Sequence, residues 1–147
     1  MPNINSDGLT DASRFNDSER NARKYSDLDL FFEKKSNKDI KKITDILAVK
    51  RAVRNLIFTN VFDKPFHTEI SSGVRDMLFE NMTPLTAVLL TKKIEDVIAN
   101  FEPRVRLTGI SSVPNLDANA YEVTLQFFIV NTPTEPVELT VFLERLR

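Results

Sequence analysis

The feature of this sequence that most constrains its fold is a change of hydrophobic period at Pro103. Before this proline, apolar residues recur every three or four positions, which is the spacing of one face of an α-helix. After it, apolar and polar residues alternate, as they do in a half-buried β-strand. Proline lacks a backbone N–H and disfavours helical geometry in the residue before it, so the helix must end there. The sequence therefore predicts an α+β fold in which helices pack on a sheet.

The helix before Pro103 begins with Thr83 and Pro84. A threonine side chain accepts a hydrogen bond from a free N–H of the first helical turn, and proline is preset for the first helical position. We expect the helix to end near Asn100 or Phe101 and to bury one apolar stripe. That stripe comprises Leu85, Val88, Leu89, Val97, Ile98 and Phe101.

Two further helical segments precede this one, so the sequence predicts two or three helices in all. Residues 45–58 carry apolar residues with helical spacing, which predicts an amphipathic helix. Its apolar row is Ile46, Val49, Val53, Leu56 and Ile57. Residues 74–79 predict a short helical turn, which Ser71 or Ser72 is placed to cap.

Three stretches after Pro103 alternate as β-strands do. The first covers residues 104–108 and is followed by Gly109, a residue typical of a bend or bulge, and then by a loop at residues 114–119. The other two flank the proline-containing turn 132–136. Their apolar rows are Tyr121, Val123, Leu125, Phe127 and Ile129, then Val137, Leu139, Val141 and Leu143. This pattern predicts a small three-stranded antiparallel sheet.

The opposite face of this sheet is mostly polar, but three large apolar residues interrupt it. They are Phe128, Val130 and Phe142. An antiparallel sheet that faces water on one side normally keeps that side polar. We therefore expect this face to be partly covered, with a partner protein as one source of the cover.

Residues 1–44 are predicted to form a largely extended N-terminal arm, which precedes a single domain at residues 45–147. Residues 2–24 are rich in Asn, Asp, Ser and Arg and have neither a helical nor a strand period. Leu30, Phe31 and Phe32 then supply large apolar side chains, which need a docking surface on this chain or on a partner. Two interpretations stand for these three residues, an ordinary core segment and an anchor in a partner.

The overall charge and the rare residue types exclude several classes of function. There are 20 Lys and Arg residues against 21 Asp and Glu, so the chain has no overall field that attracts nucleic acid. Without cysteine, and with His67 as the one histidine, it has no thiolate or multi-histidine metal site. It also lacks a run of about 18 apolar residues, the length that spans a membrane. We predict no cofactor, no metal, no nucleic-acid partner and no membrane partner.

Two short runs of sequence resemble a known family. Residues 78–86 read Leu-Phe-Glu-Asn-Met-Thr-Pro-Leu-Thr, and residues 100–104 read Asn-Phe-Glu-Pro-Arg. Both are similar to the baseplate wedge and sheath-initiator family of contractile-tailed bacteriophages, which has a related counterpart in type VI secretion. That family carries a Glu-Pro-Arg signature after its long helix, matched here by Glu102, Pro103 and Arg104. The resemblance spans roughly residues 25–147.

The resemblance implies a structural subunit of the virion tail baseplate, assembled in the host cytoplasm and without a reaction of its own. Its implied partners are other baseplate wedge proteins, the tail sheath protein and, as a further candidate, the tail tube. The charges of Glu102 and Arg104 flank Pro103, so they are expected to be held for contacts with a neighbouring wedge protein. The alternative is a surface salt bridge at this position. A C-terminal strand is expected to offer an unpaired backbone ladder to a sheath strand, with Val141 and Leu143 at that contact.

The alternative function is that of a peptidoglycan-degrading tail enzyme, because some members of this family are described as lysozyme-like. Glycoside hydrolysis requires two carboxyl groups, normally one protonated acid and one ionised partner. The available candidates are Asp76, Glu80, Glu95 and Glu102. Their spacing forms no recognisable pair of acid and nucleophile, so we predict that the chain is not an enzyme.

Overall fold

The computed structural model describes residues 25–34, 36–130 and 136–145. These residues form three helices and two antiparallel sheets, which confirms the predicted α+β fold. In chain order the elements are β1 (Ser26–Leu28), β2 (Lys42–Thr44), α1 (Asp45–Phe58), α2 (Val74–Met77), α3 (Pro84–Phe101), β3 (Val105–Asn115), β4 (Ala120–Ile129) and β5 (Val137–Glu144). The predicted course of residues 1–24 and most of the predicted turn at residues 132–136 lie outside the described residues.

The chain divides into two units, residues 1–48 and residues 49–147. In the first unit, β1 and β2 pair antiparallel, with Leu28 opposite Lys42. The Asp45 N–H donates to the Tyr25 carbonyl oxygen at 2.8 Å, which joins the two ends of this hairpin. The described part of the predicted arm is thus a two-stranded hairpin, and the boundary at residue 44 stays a prediction.

Helix α1 has the bounds that its apolar spacing predicted. Within the second unit its row of apolar residues is buried. The row comprises Val49, Val53, Leu56 and Ile57, each at most 7% exposed. On the solvated side, the guanidinium of Arg54 lies 5.8 Å from the centre of the Phe58 ring, a cation–π arrangement that helps to hold this ring in place.

Helix α3 begins as predicted, but the first half of its predicted apolar stripe is wrong. The Thr83 side chain accepts from the Thr86 N–H at 3.1 Å, and Pro84 occupies the first turn. Leu85, Val88 and Leu89 were expected in the core but are 69%, 65% and 50% exposed. The buried face instead comprises Thr86, Ala87, Leu90, Ile94, Val97 and Ile98.

The physical reason for this error is the chemistry of Thr86. Its hydroxyl donates to the Asn81 carbonyl oxygen at 2.8 Å, so the polar group is satisfied and the methyl group can be buried. The small side chain of Ala87 then allows a close approach to the rest of the unit. The larger residues on the neighbouring face are left exposed, which a comparison of side-chain hydrophobicity alone does not foresee.

The second sheet is the predicted three-stranded antiparallel meander, in the order β3–β4–β5. The register shifts between Leu107 and Gly109, which is the irregularity that the glycine predicted. Strand β3 runs to Asn115, so the predicted loop at residues 114–119 is shorter than expected. The inward row of β4 is fully confirmed: Tyr121, Val123, Leu125, Phe127 and Ile129 are all buried. Helix α3 packs mainly on β3, and Thr91 donates from its hydroxyl to that of Ser112 at 2.8 Å.

The entry to α2 depends on Gly73. This residue has φ 60, and the Ser72 hydroxyl oxygen accepts from the Val74 N–H at 3.2 Å, in agreement with the predicted serine cap. A Cβ on residue 73 would lie 2.9 Å from Nζ of Lys93. A residue with a side chain is destabilised by left-handed backbone geometry, whereas glycine is not.

We therefore predict that Gly73→Ala lowers the free energy of unfolding by about 1–2 kcal/mol. The matched control is Gly109→Ala, because the φ of Gly109 lies outside the left-handed range and its added Cβ meets only an ordinary contact with Gln126 at 3.8 Å. Urea unfolding followed by circular dichroism measures both. Equal loss of stability in the two variants would contradict the assigned role of Gly73.

Candidate partner-binding site

Glu102 and Arg104 lie at the corner where α3 gives way to β3. The Glu102 N–H donates to the Ile98 carbonyl oxygen at 2.9 Å and so continues the hydrogen bonding of the helix. The Glu102 carbonyl oxygen accepts from the Val105 N–H at 3.1 Å, at the start of the strand. Pro103 has no N–H to satisfy, so the backbone turns here without losing a hydrogen bond.

The two charged side chains bind each other through two parallel hydrogen bonds. Nε of Arg104 donates to Oε1 of Glu102 at 2.6 Å, and Nη2 donates to Oε2 at 2.7 Å. The Glu102 side chain is 7% exposed and the Arg104 side chain 33%. A planar guanidinium matches a carboxylate in this bidentate geometry, and a buried carboxylate is tolerated when it is paired in this way.

The structure pairs Glu102 and Arg104 with each other. The sequence predicted contacts of both charges with a neighbouring protein, with a salt bridge as the alternative. In the structure the Glu102 carboxylate is buried and both its oxygens accept from Arg104. The pair therefore fixes the corner between helix and sheet. Pro103 is exposed and Arg104 is partly exposed, so a partner contact by these two residues stays a prediction.

The second predicted contact is the edge of the sheet. Within the described residues, β5 pairs only with β4. The Arg145 N–H donates to the Asn119 carbonyl oxygen at 2.9 Å, so the odd-numbered residues of β5 direct their backbone groups toward β4. Antiparallel strands alternate between hydrogen-bonded and non-bonded pairs. The N–H and C=O groups at the free edge consequently belong to Glu138, Thr140, Phe142 and Glu144.

The hydrogen bonding between β4 and β3 leads independently to the same assignment of the edge groups of β5. The Val130 N–H donates to the Arg104 carbonyl oxygen at 2.9 Å, so even-numbered residues at this end of β4 face β3. The odd-numbered residues of β4 must then face β5. Both hydrogen bonds thus assign the same backbone groups of β5 to its free edge.

Val141 and Leu143 lie on the predicted strand but face inward. They are 3% and 1% exposed, and their backbone groups are directed toward β4. The edge-facing backbone groups of this strand belong to the alternate residues, and a contact of Val141 and Leu143 with a partner stays a prediction. Phe142, noted from sequence as an apolar interruption of the polar face, is one of them and is 61% exposed.

Leu30, Phe31 and Phe32 lie in the turn that follows β1. They are 54%, 73% and 62% exposed, an arrangement that favours the anchor interpretation over the core interpretation. Sequence reasoning missed Asp29, which builds this turn. The Asp29 carboxylate accepts from the Phe31 N–H at 3.1 Å, and its carbonyl oxygen accepts from the Phe32 N–H at 2.9 Å. An aspartate two residues before the bonded N–H is a recognisable turn signal.

The four carboxylates considered for hydrolysis stand in surface or paired environments. Asp76 and Glu80 are exposed. Glu95 lies 3.3 Å from Nζ of Lys92, and the hydrogen bonds that this ammonium donates to Asp96 and to Glu95 raise its pKa. Both carboxylate oxygens of Glu102 accept hydrogen bonds from Arg104.

In residues 25–34, 36–130 and 136–145, no group of three or more histidine, aspartate or glutamate side chains is placed to hold a metal ion. Over the same ranges, no helix is both long enough and apolar enough to cross a membrane.

Comparison with known proteins places the chain among tail proteins. No protein-family model matches this sequence. The baseplate wedge protein gp25 of Enterobacteria phage T4 is 32% identical over 111 residues, which are 76% of this chain and 84% of the phage protein. The chain belongs to the baseplate wedge protein family. The resemblance that the Glu-Pro-Arg signature suggested is thereby confirmed.

Solved structures confirm the fold of this wedge family member. A chain of the anti-feeding prophage baseplate matches with a TM-score of 0.66 at 19% identity, over 74% of this chain and 88% of that one. A protein of Geobacter sulfurreducens described as a tail lysozyme matches with a TM-score of 0.62 at 16% identity, over 67% of this chain and 89% of that one. At these identities the likeness establishes a shared fold.

The Glu102–Arg104 pair generates a prediction for stability. Arg104→Met is expected to lower the free energy of unfolding by about 2–3 kcal/mol, because it leaves a buried carboxylate without its partner. Glu102→Gln should cost only about 1 kcal/mol, because the guanidinium left behind is partly hydrated and the amide still accepts one hydrogen bond.

The double variant Glu102→Gln with Arg104→Met completes the cycle. It should be clearly more stable than the sum of the two single losses implies, because no uncompensated charge remains buried. Denaturant unfolding of all four proteins measures the coupling. Additive losses would show that the two side chains do not stabilise each other.

Proposed function

We propose that this protein is a structural subunit of a contractile-tail baseplate, which joins inner wedge subunits and provides the template on which the tail sheath starts to polymerise. In this proposal it resides in the virion after assembly in the host cytoplasm, with the tail tube as a further candidate neighbour. Membership of the baseplate wedge protein family supports the proposal. The fold shared with a chain of a prophage baseplate is consistent with it.

The free edge of β5 is the single observation that carries the sheath-initiating part of this function. An edge strand offers unpaired N–H and C=O groups, to which an extended segment of another chain can add. Here those groups belong to four alternate residues from Glu138 to Glu144, whose side chains are exposed. Addition of a sheath strand would extend the sheet from three strands to four, and polymerisation would start only where this edge is present.

The exposed apolar residues support the wedge-joining part. Leu30, Phe31 and Phe32 project from the turn after β1, and Leu85, Val88 and Leu89 form a separate exposed stripe on α3. Each set places large apolar side chains in solvent. Contiguous exposed apolar surface of this kind is typical of protein–protein contacts. We assign both surfaces to neighbouring wedge subunits.

The Glu102–Arg104 pair has a positioning role in this proposal. It holds the end of α3 on the start of β3, and so sets where the α3 stripe lies relative to the sheet. The exposed Pro103 and the outer part of Arg104 then form the predicted contact at this corner with a neighbouring subunit. A hydrolytic function is not favoured, because one of its four candidate carboxylates, Glu102, is buried in this pair and two others, Asp76 and Glu80, stand exposed on the surface.

Strand addition can be tested with Thr140→Pro. Proline at position 140 removes an N–H that faces the free edge and leaves the bonds between β5 and β4 intact, so the fold should be retained. Binding to the tail sheath protein of the same particle is expected to weaken at least about tenfold. Biolayer interferometry with purified sheath protein measures the dissociation constant.

Thr140→Val is the matched control, since valine favours a strand and keeps the N–H. It should bind the sheath protein as the unmodified chain does. Circular dichroism checks that both variants are folded. If Thr140→Pro is folded and binds with unchanged affinity, β5 is not the template.

The wedge-joining contact can be tested with the double variant Phe31→Ser and Phe32→Ser. Both residues are exposed, so the fold should be unaffected, while copurification with the inner wedge subunits should fall about tenfold or more because two aromatic anchors are lost. The control is Phe66→Ser, which removes a 93% exposed phenylalanine outside the proposed surface. An equal yield of wedge complex from all three proteins would remove this turn from the interface.

A further inference from the structure

A groove of about 300 Å³ opens beside the C-terminal half of β5, between this strand, the end of α1 and α2. Its floor comprises Ile57, Val74, Leu78 and Leu143, each at most 6% exposed. Its walls are the rings of Phe58 and Phe142, which are 45% and 61% exposed. Asn60, Arg75 and Glu144 also line the groove, so its floor is apolar while its rim carries polar and charged groups beside the two aromatic rings.

The lining residues place this groove at the free edge of the strand. Phe142 and Leu143 are consecutive residues of β5, and consecutive strand residues point to opposite faces of a sheet. A groove lined by both must lie beside the strand rather than over one face. The other side of β5 is occupied by β4, so the groove and the unpaired backbone groups share one edge.

The edge also has a definite charge. Its four outward residues include Glu138 and Glu144 and no basic side chain. If two copies of β5 paired antiparallel about Val141, Glu138 of one copy would face Glu144 of the other, and directly opposed like charges destabilise a strand pair. A strand with basic residues at these positions complements the edge. The charge pattern therefore favours a different protein over a second copy.

We propose that this groove receives one large aliphatic or aromatic side chain of the strand that adds to β5, from the residue directly opposite Leu143, and that a basic residue next to this anchor lies opposite Glu144. The inference rests on the proposed sheath-initiating function and names the feature by which the edge selects its partner. Side chains of directly opposed strand residues lie about 4.5–5.5 Å apart at Cβ. The inward side chain opposite Leu143 consequently enters the groove, while its neighbours along the strand point away from it.

Substitution of the two wall residues, Phe58 and Phe142, tests whether the groove binds a side chain. Phe58→Ser and Phe142→Ser each remove one wall, and neither removes a backbone N–H or a floor residue. Each is expected to weaken binding of the purified tail sheath protein about 10- to 100-fold, which is the effect of losing contact with one large apolar side chain. Phe79→Ser is the control, because Phe79 is 56% exposed and does not line the groove. It should bind as the unmodified chain does.

Comparison with the Thr140→Pro variant distinguishes strand addition at the edge of β5 from binding of a side chain in the groove. If Thr140→Pro loses binding while both wall variants, shown by circular dichroism to be folded, keep it, the edge is used without the groove and the inference is overturned. If Thr140→Pro itself binds normally, the proposed template fails. Sedimentation that finds a dimer of the unmodified chain, dissociated by Phe58→Ser, would identify a second copy as the occupant and also overturn the inference.

Discussion

The bidentate pair between Glu102 and Arg104 is the interaction on which the geometry of the second unit depends. It joins the residue that ends α3 to the residue that precedes β3, at a proline that interrupts the helix. A buried carboxylate is costly unless both oxygens are satisfied, so the corner has one favourable arrangement. The pair fixes the corner between α3 and β3, whereas the bonded Thr86 explains which face of α3 is buried. The Glu-Pro-Arg signature thus has a structural role within the chain that does not require a partner.

Among the described residues the sheet has two edge strands, β3 and β5; helix α3 packs mainly on β3, and β5 is the edge to which we assign strand addition. The alternation of hydrogen bonds in an antiparallel ladder then determines which groups are free, and residue Thr140 lies at the middle of them. Unpaired edges are normally a liability that proteins shorten or cover. In a protein whose proposed role is to start a polymer, the same edge is the functional surface. In the proposed function, the adjacent groove gives that surface a means of selecting the strand that it accepts.

The exposed apolar residues follow the same logic. Phe31, Phe32 and the α3 stripe are expensive to leave in water, because apolar surface is stabilised by burial. The structure nevertheless builds local features that keep them outside: the Asp29 turn orients the two phenylalanines, and the bonded Thr86 takes the buried position beside Leu85. A protein that works by assembly is expected to carry such surfaces, which are completed when its neighbours bind.

The sequence by itself determined the elements, because their signals are local. The spacing of apolar residues set α1 and the inward row of β4, the Thr83 cap set the start of α3, and Pro103 set its end. The family signature was also readable in the sequence. Tertiary structure alone decided which side of α3 is covered and how its corner with β3 is paired: it exposed Leu85 and turned Glu102 inward to Arg104. Burial and pairing depend on residues far apart in the chain, so periodicity cannot assign them, and the free edge exists only once the strands have been ordered into a sheet.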